Sequence, residues 1–296
     1  MILIALALNC WAYQHKCLVG IFFALNFKTK KGKKMSTSAM HVAKTGLTAQ
    51  QYKMQVIANN LANVNTTGFK RDRANFESLF YQIVKTAGAQ TADDTALTSP
   101  LAVGTGVKVV STQKLFTQGG LVNTDNSLDL AIDGQGFFQA LLPDGRVGYT
   151  RSGILSRNAE GVLTTTSGYV VQPQIQLPAD ATSINVSSTG VVSVTTPGND
   201  IAQEVGQIAL ANFSNPRGLT PVGENFFVPS AESGAAQEGA PLDGGFGKVL
   251  QGYVESSNVN VVQQLVDMIE TQRAYEVSSK SITAVDEMMQ FISRNL

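Results

Sequence analysis

The chain has 296 residues, enough to bury one or two sizeable cores, yet only 15% of them are charged and the formal net charge is zero. Six of the 22 basic residues lie in the first 34 positions, which hold no acid, so from Met35 onward 16 basic residues stand against 22 acidic ones. This mildly acidic body gives no support to nucleic-acid binding, and because both cysteines (Cys10, Cys17) precede it, it can form neither a disulfide nor a thiolate metal site.

The opening segment 1–34 has apolar runs at 1–8 and 18–25, each too short to span a membrane, and its lysines follow the apolar part instead of preceding it. It is a poor signal peptide. The break in composition at Met35 predicts that translation begins there and that 1–34 is a non-native upstream extension from a start-site error.

The next element, over 35–68, reads as a helix. Met40, Leu47, Met54 and Leu61 share one heptad position, and Ala43, Gln50, Ile57 and Val64 follow three residues later. Seven of the eight are apolar, which is the pattern of a coiled-coil seam. Asn59, Asn60, Asn63 and Asn65 lie largely off that seam, where amides can bond neighbouring backbones or side chains, and Gly68 suits a helix C-cap. The basic run Phe69–Arg73 then reads as a solvated cluster at an interface rim.

Segment 69–120 reads as a connecting stretch. Residues 86–106 are small and polar, extended or flexible, whereas Val107, Val109 and Leu115 are spaced to add a strand or hairpin arm. From 121 to 230 short alternating runs separated by Asp-Gly and Ser-Gly turns predict an all-β domain. Residues 231–257 look like a linker. The final stretch, 258–296, repeats Val261, Met268, Tyr275, Ile282 and Met289 every seven residues, flanked by Leu265, Ile269, Val285 and Ile292. With no glycine or proline between Asn258 and Arg294, it predicts a helix about 50 Å long. The fold class is therefore α+β, with long terminal helices of coiled-coil type around a central β domain. Heptads alone do not say whether the two helices close as an intrachain hairpin or pack with other chains.

Catalytic chemistry finds little footing. His41 is the only histidine after Met35 and sits early on the first helix, and no Gly-x-Ser-x-Gly elbow occurs. Asp125, Asp129 and Asp133 do not match a calcium loop, and the glycines of "VGTGVK" and "DGQGFF" complete no phosphate-binding loop. The sequence points to no catalytic residue, metal or cofactor.

The stretches "ANNLANVNTTGFKRDRANFESLFYQ", "NSLDLAIDGQGFFQ", "YTRSGILSRNAEGVLTTTSGYVVQP" and "GYVESSNVNVVQQLVDMIETQRAYEVSSKSI" resemble, in that order, the rod and hook axial proteins of the bacterial flagellum. The resemblance covers nearly all of 35–296, and the segments around 81–130 and 171–184 look most like the distal rod branch. It implies a structural, non-enzymatic subunit of a hollow, rigid drive shaft that passes motor torque to the hook. Such a chain would be exported unfolded by the flagellar type III apparatus and would assemble across the periplasm. The implied partners are copies of itself, proximal rod and hook proteins at the two ends, and the peptidoglycan and outer-membrane rings around it. The implied assembly interface is the two helical stripes, Met40, Ala43, Leu47, Met54, Ile57, Leu61 and Val64 with Asn60 and Asn63, and Val261, Leu265, Met268, Tyr275, Ile282 and Met289. Val107, Val109 and Leu115 would serve the segment between subunits. The competing reading is a periplasmic enzyme or binding module that acts on peptidoglycan and carries helical appendages.

Overall fold

The computed structural model describes residues 38–294 apart from 89, 93, 94, 97 and 198. The expected extension 1–34 lies outside the described residues. Among those described, two long helices bracket a β-rich region, which makes the chain α+β.

Helix α1 runs over 38–62, and the chain then turns through 63–68. The expected end at Gly68 is therefore six residues late, and the asparagines are the physical reason. The Asn63 amide donates back to the Asn59 carbonyl at 2.9 Å, and Thr66 Oγ1 donates to Asn63 Oδ1 at 3.2 Å, so side chains satisfy polar groups that another helical turn would have used. Gly68 has another task. Its φ is +70°, its N–H donates to the Glu255 carbonyl at 2.8 Å, and a Cβ there would lie 2.5 Å from the Ser152 nitrogen.

Six strands follow: β1 (Asp72–Ser78), β2 (Tyr81–Lys85), β3 (Gln90–Ala92), β4 (Thr95–Ala96), β5 (Leu101–Gly104) and β6 (Val107–Lys114). They pair as nested ladders, β3 with β4, β2 with β5 and β1 with β6, so the outgoing and returning chain form one long hairpin arm. Part of the stretch expected to be flexible, 86–106, is thus hydrogen-bonded ladder, with Tyr81 opposite Gly104 and Ile83 opposite Ala102.

The body that follows holds a seven-stranded antiparallel sheet. Its strands lie in the order Leu155–Arg157, Leu163–Thr165, Val170–Gln172, Phe138–Leu141, Val147–Thr150, Phe226–Val228 and Thr220–Gly223. A three-stranded sheet of Ser183–Val186, Val191–Thr196 and Asn199–Gln207 accompanies it. Leu130, Ile132, Phe138, Leu163, Val171, Val192, Val194, Ile208 and Leu210 form the shared core. An aromatic cluster sits beside it, with Phe116 edge-on to Phe137 at 5.4 Å and Tyr149 edge-on to Phe213 at 4.8 Å.

Residues 231–257, expected as a linker, instead supply strands to this body. Gln237–Gly239 pairs with Leu210–Asn212, Lys248–Gln251 with Leu130–Asp133, and Tyr253–Glu255 with Leu121–Asn123. Small residues and glycines hid them, because their apolar signal is confined to positions such as Val249 and Val254, both buried. Helix α2 then spans Val261–Arg294, 34 residues and about 51 Å at 1.5 Å per residue. Asn260 caps it, accepting from the Gln263 nitrogen at 3.2 Å.

The described residues divide into two compact units, one of 38–54 with Asn75–Ser111 and 269–294, the other of Gln55–Ala74 and Thr112–Met268.

Candidate assembly interface

The expected seam on α1 is turned partly inward. Ile57 is buried, and Met40, Ala43, Leu47, Met54 and Leu61 are half-buried; Val64, also half-buried, lies past the helix end. On α2 the covered stripe is different from the expected one. Gln264, Met268, Thr271, Tyr275, Ser278 and Ile282 follow at alternating spacings of four and three residues, and all are buried or half-buried. Of the expected positions, Met268, Tyr275 and Ile282 belong to this row, whereas Val261, Leu265 and Met289 are exposed.

At 100° per residue, a second apolar row lies on roughly the opposite side of α2 and is open to solvent: Val262 at 71% exposure, Val266, Ile269, Val277 at 64% and Met288. A helix covered along one row leaves the apolar residues of its opposite side in water. Periodicity concealed this, because polar residues (Gln264, Thr271, Ser278) occupy the covered row. The arm shows the same character. Phe80 is 92% exposed, and Tyr81, Ile83, Val84, Leu101, Val103 and Val110 are exposed too, while Val107, Val109 and Leu115 are half-buried. This is a large exposed apolar set for a two-stranded ribbon.

Polar side chains fasten the long elements to the body. Asn60, only 2% exposed, accepts from the Asp72 nitrogen at 2.8 Å and donates to the Asp72 carbonyl at 2.9 Å and to Gln264 Oε1 at 3.2 Å. Its hydrogen-bonding capacity is thus spent inside the chain, and it joins the end of α1 to the start of α2. Asn63 bonds within its own turn. Asn258 works likewise, accepting from the Arg71 nitrogen at 2.8 Å and donating to the carbonyls of Leu115 at 2.7 Å and Thr117 at 3.1 Å.

Between them lies a buried ionic cluster that sequence reasoning missed. Lys70, expected in a solvated run, has a side chain with no exposure; its ammonium donates to Glu255 Oε1 and, at 2.8 Å, to the Thr117 carbonyl. The other Glu255 oxygen faces Arg151 Nη1 at 3.5 Å, and Arg151 Nη2 donates to the Gly134 carbonyl at 2.8 Å. Burial pulls the Lys70 ammonium below its ordinary pKa, with Glu255 opposing that shift, and burial acts in the same sense on Arg151. The cluster ties three distant segments together. Little along the chain hinted at it: Lys70 stands in the basic run with Arg71 and Arg73, and Glu255 lies between Val254 and Ser256.

The acidic cluster near 125 closes turns. Asp129 accepts from Thr124 Oγ1 at 2.7 Å and from Asn126 Nδ2 at 3.0 Å, and Asp125 takes a positive φ of 56°.

A body with its own closed core, bearing appendages whose apolar rows remain open, has the build of a structural protein that assembles. Comparison with known proteins gives the family. Residues 40–70 match the "Flagella basal body rod protein" model, 131–194 the "Flagellar hook protein FlgE/F/G D1 domain" and 250–295 the "Flagellar basal body rod FlgEFG protein C-terminal". A flagellar basal-body rod protein FlgG of Buchnera aphidicola is 49% identical over 86% of this chain and 98% of its own length. The FlgG of Caulobacter vibrioides is 46% identical over the same shares, and the hook protein FlgE of Helicobacter pylori is 38% identical over 57% of this chain and 24% of its own length. The chain belongs to the flagellar basal-body rod proteins. It is a structural subunit of the distal rod and not an enzyme.

Proposed function

We propose that copies of this chain polymerise into a hollow, rigid shaft that carries motor torque to the hook, α1 and α2 packing with those of neighbouring copies in coiled-coil fashion and the arm bridging between copies. The observation that carries this reading is the apolar surface left open on α2 and on the arm of a chain whose β body already has a closed core. Exposed rows of Val, Ile, Phe and Tyr are costly in water and are satisfied when another copy covers them. The likeness to a hook protein at 38% identity supports end-to-end contact with related axial proteins, hook on one side and proximal rod on the other. In the same reading the shaft runs through the peptidoglycan and outer-membrane rings, and its subunits arrive unfolded through the flagellar type III export apparatus.

The test is complementation in a strain lacking the gene, read by electron cryotomography of basal bodies. Without the chain, basal bodies should stop short of a complete rod and carry no hook, and the restored gene should return both. Full-length rods with hooks in the deleted strain would refute it.

A further inference from the structure

α1 and β6 enclose a groove of about 430 Å³ lined by His41, Lys44, Thr48, Tyr52, Val107 and Val109. It is a built feature. Thr45 Oγ1 donates to the Val42 carbonyl at 2.8 Å and accepts from the Val107 nitrogen at 3.3 Å. Gly106, at a φ of +121°, allows that approach, since a Cβ there would clash with Thr45 Oγ1. At the small end of ligand-pocket sizes, roughly 300–1,000 Å³, the groove admits a few side chains and not a whole element. Its walls are apolar and its rim is cationic. Lys108 holds only an exposed pair with Glu77 at 3.3 Å, which exchanges readily, and no ion pair to Lys44 occurs among the described residues.

The matching chemistry is an apolar segment with an unbalanced acid, and the chain contains one. On α2, Glu270 is offset by Arg273 one turn later, but between Ser281 and Ser293 stand Asp286 and Glu287 with no base. Glu287 is exposed, as are Met288 at 60% and Ile292 on the following turn. Methionine is well suited to filling a groove of irregular shape. We propose that this groove receives the last turns of α2 from a second copy of the chain, Glu287 meeting Lys44 and Lys108 while Met288 enters between Tyr52 and Val109. The inference rests on the self-assembly reading and assigns it one specific contact.

The test uses the full chain in flagellated cells. Lys44→Glu and Glu287→Lys should each cost most of the swimming, and the two together in one chain should restore it. Because either change could disturb α1 or α2 itself, a second readout is needed. Chains with Cys10→Ser and Cys17→Ser that carry Lys44→Cys in one copy and Glu287→Cys in another should, when co-expressed and oxidised, give a disulfide-linked dimer from purified basal bodies. Such a bond requires Cα atoms within about 7 Å and can form only between copies. Rods that contain both variants but give no cross-link, with no rescue by the charge swap, would overturn this contact and leave self-assembly standing. Absence of the unaltered chain from basal bodies would overturn both.

Discussion

Glu255 is the single anion facing two cations in the cluster with Lys70 and Arg151, and its neighbours depend on it unequally. Replacing Glu255 with alanine leaves two buried cations unpaired, so urea unfolding of the isolated protein should show a loss of about 3–5 kcal/mol. Lys70→Met should cost distinctly less, because Arg151 keeps its carboxylate and the Gly119 nitrogen still donates to Glu255 at 2.8 Å. Equal losses would mean that the cluster contributes through packing alone. Lys70 also gives a pH signature. Its folded pKa lies below the ordinary 10.5, so between that lowered value and 10.5 the unfolded chain binds more protons than the folded one. The contribution of this group to stability therefore increases with pH across that window, and Lys70→Met should remove the increase when unfolding is followed at alkaline pH. At Gly68 the constraint is steric: alanine would meet the Ser152 backbone at 2.5 Å while held at positive φ. Thermal unfolding of Gly68→Ala should show a loss of at least about 1–3 kcal/mol.

For the elements, the arm separates stability from assembly. None of its described residues between 86 and 104 belongs to the body's core, so deleting 86–104 should leave the β body folded by circular dichroism and the protein exported, yet give bent or weak rods and impaired swimming. Straight rods with normal torque would locate rigidity in the terminal helices instead. These elements also show what sequence can reveal. The heptad of Met40, Leu47, Met54 and Leu61 announces α1 because local periodicity suffices for a helix, and the glycine-free run to Arg294 announces α2. The end of α1 at 62 was not legible, because Gly68 looks like a C-cap until Ser152, 84 positions away, is seen pressing on it. Nor was the covered face of α2, where Gln264 and Thr271 are buried as polar residues in a row that hydropathy would place outside. The strands at 237–255 hid for a related reason: they pair with distant strands and need few apolar residues of their own. The Lys70–Glu255–Arg151 cluster joins residues up to 185 positions apart, and a pattern read along the chain cannot register such a contact.

At the scale of the whole molecule, the account rests on a division of labour between a β body that is complete in one chain and helices and arm that are completed by others. A short or half-covered helix is marginal in water, so ordering in the appendages should follow assembly. Hydrogen–deuterium exchange on the isolated chain and on purified rods measures this directly. The account predicts strong protection of 121–230 in both states, with 38–54, 81–104 and 269–294 exchanging rapidly in the isolated chain and becoming protected in the rod. Helices and arm as well protected in the isolated chain as in the rod would contradict it, since their apolar faces would then need no second copy.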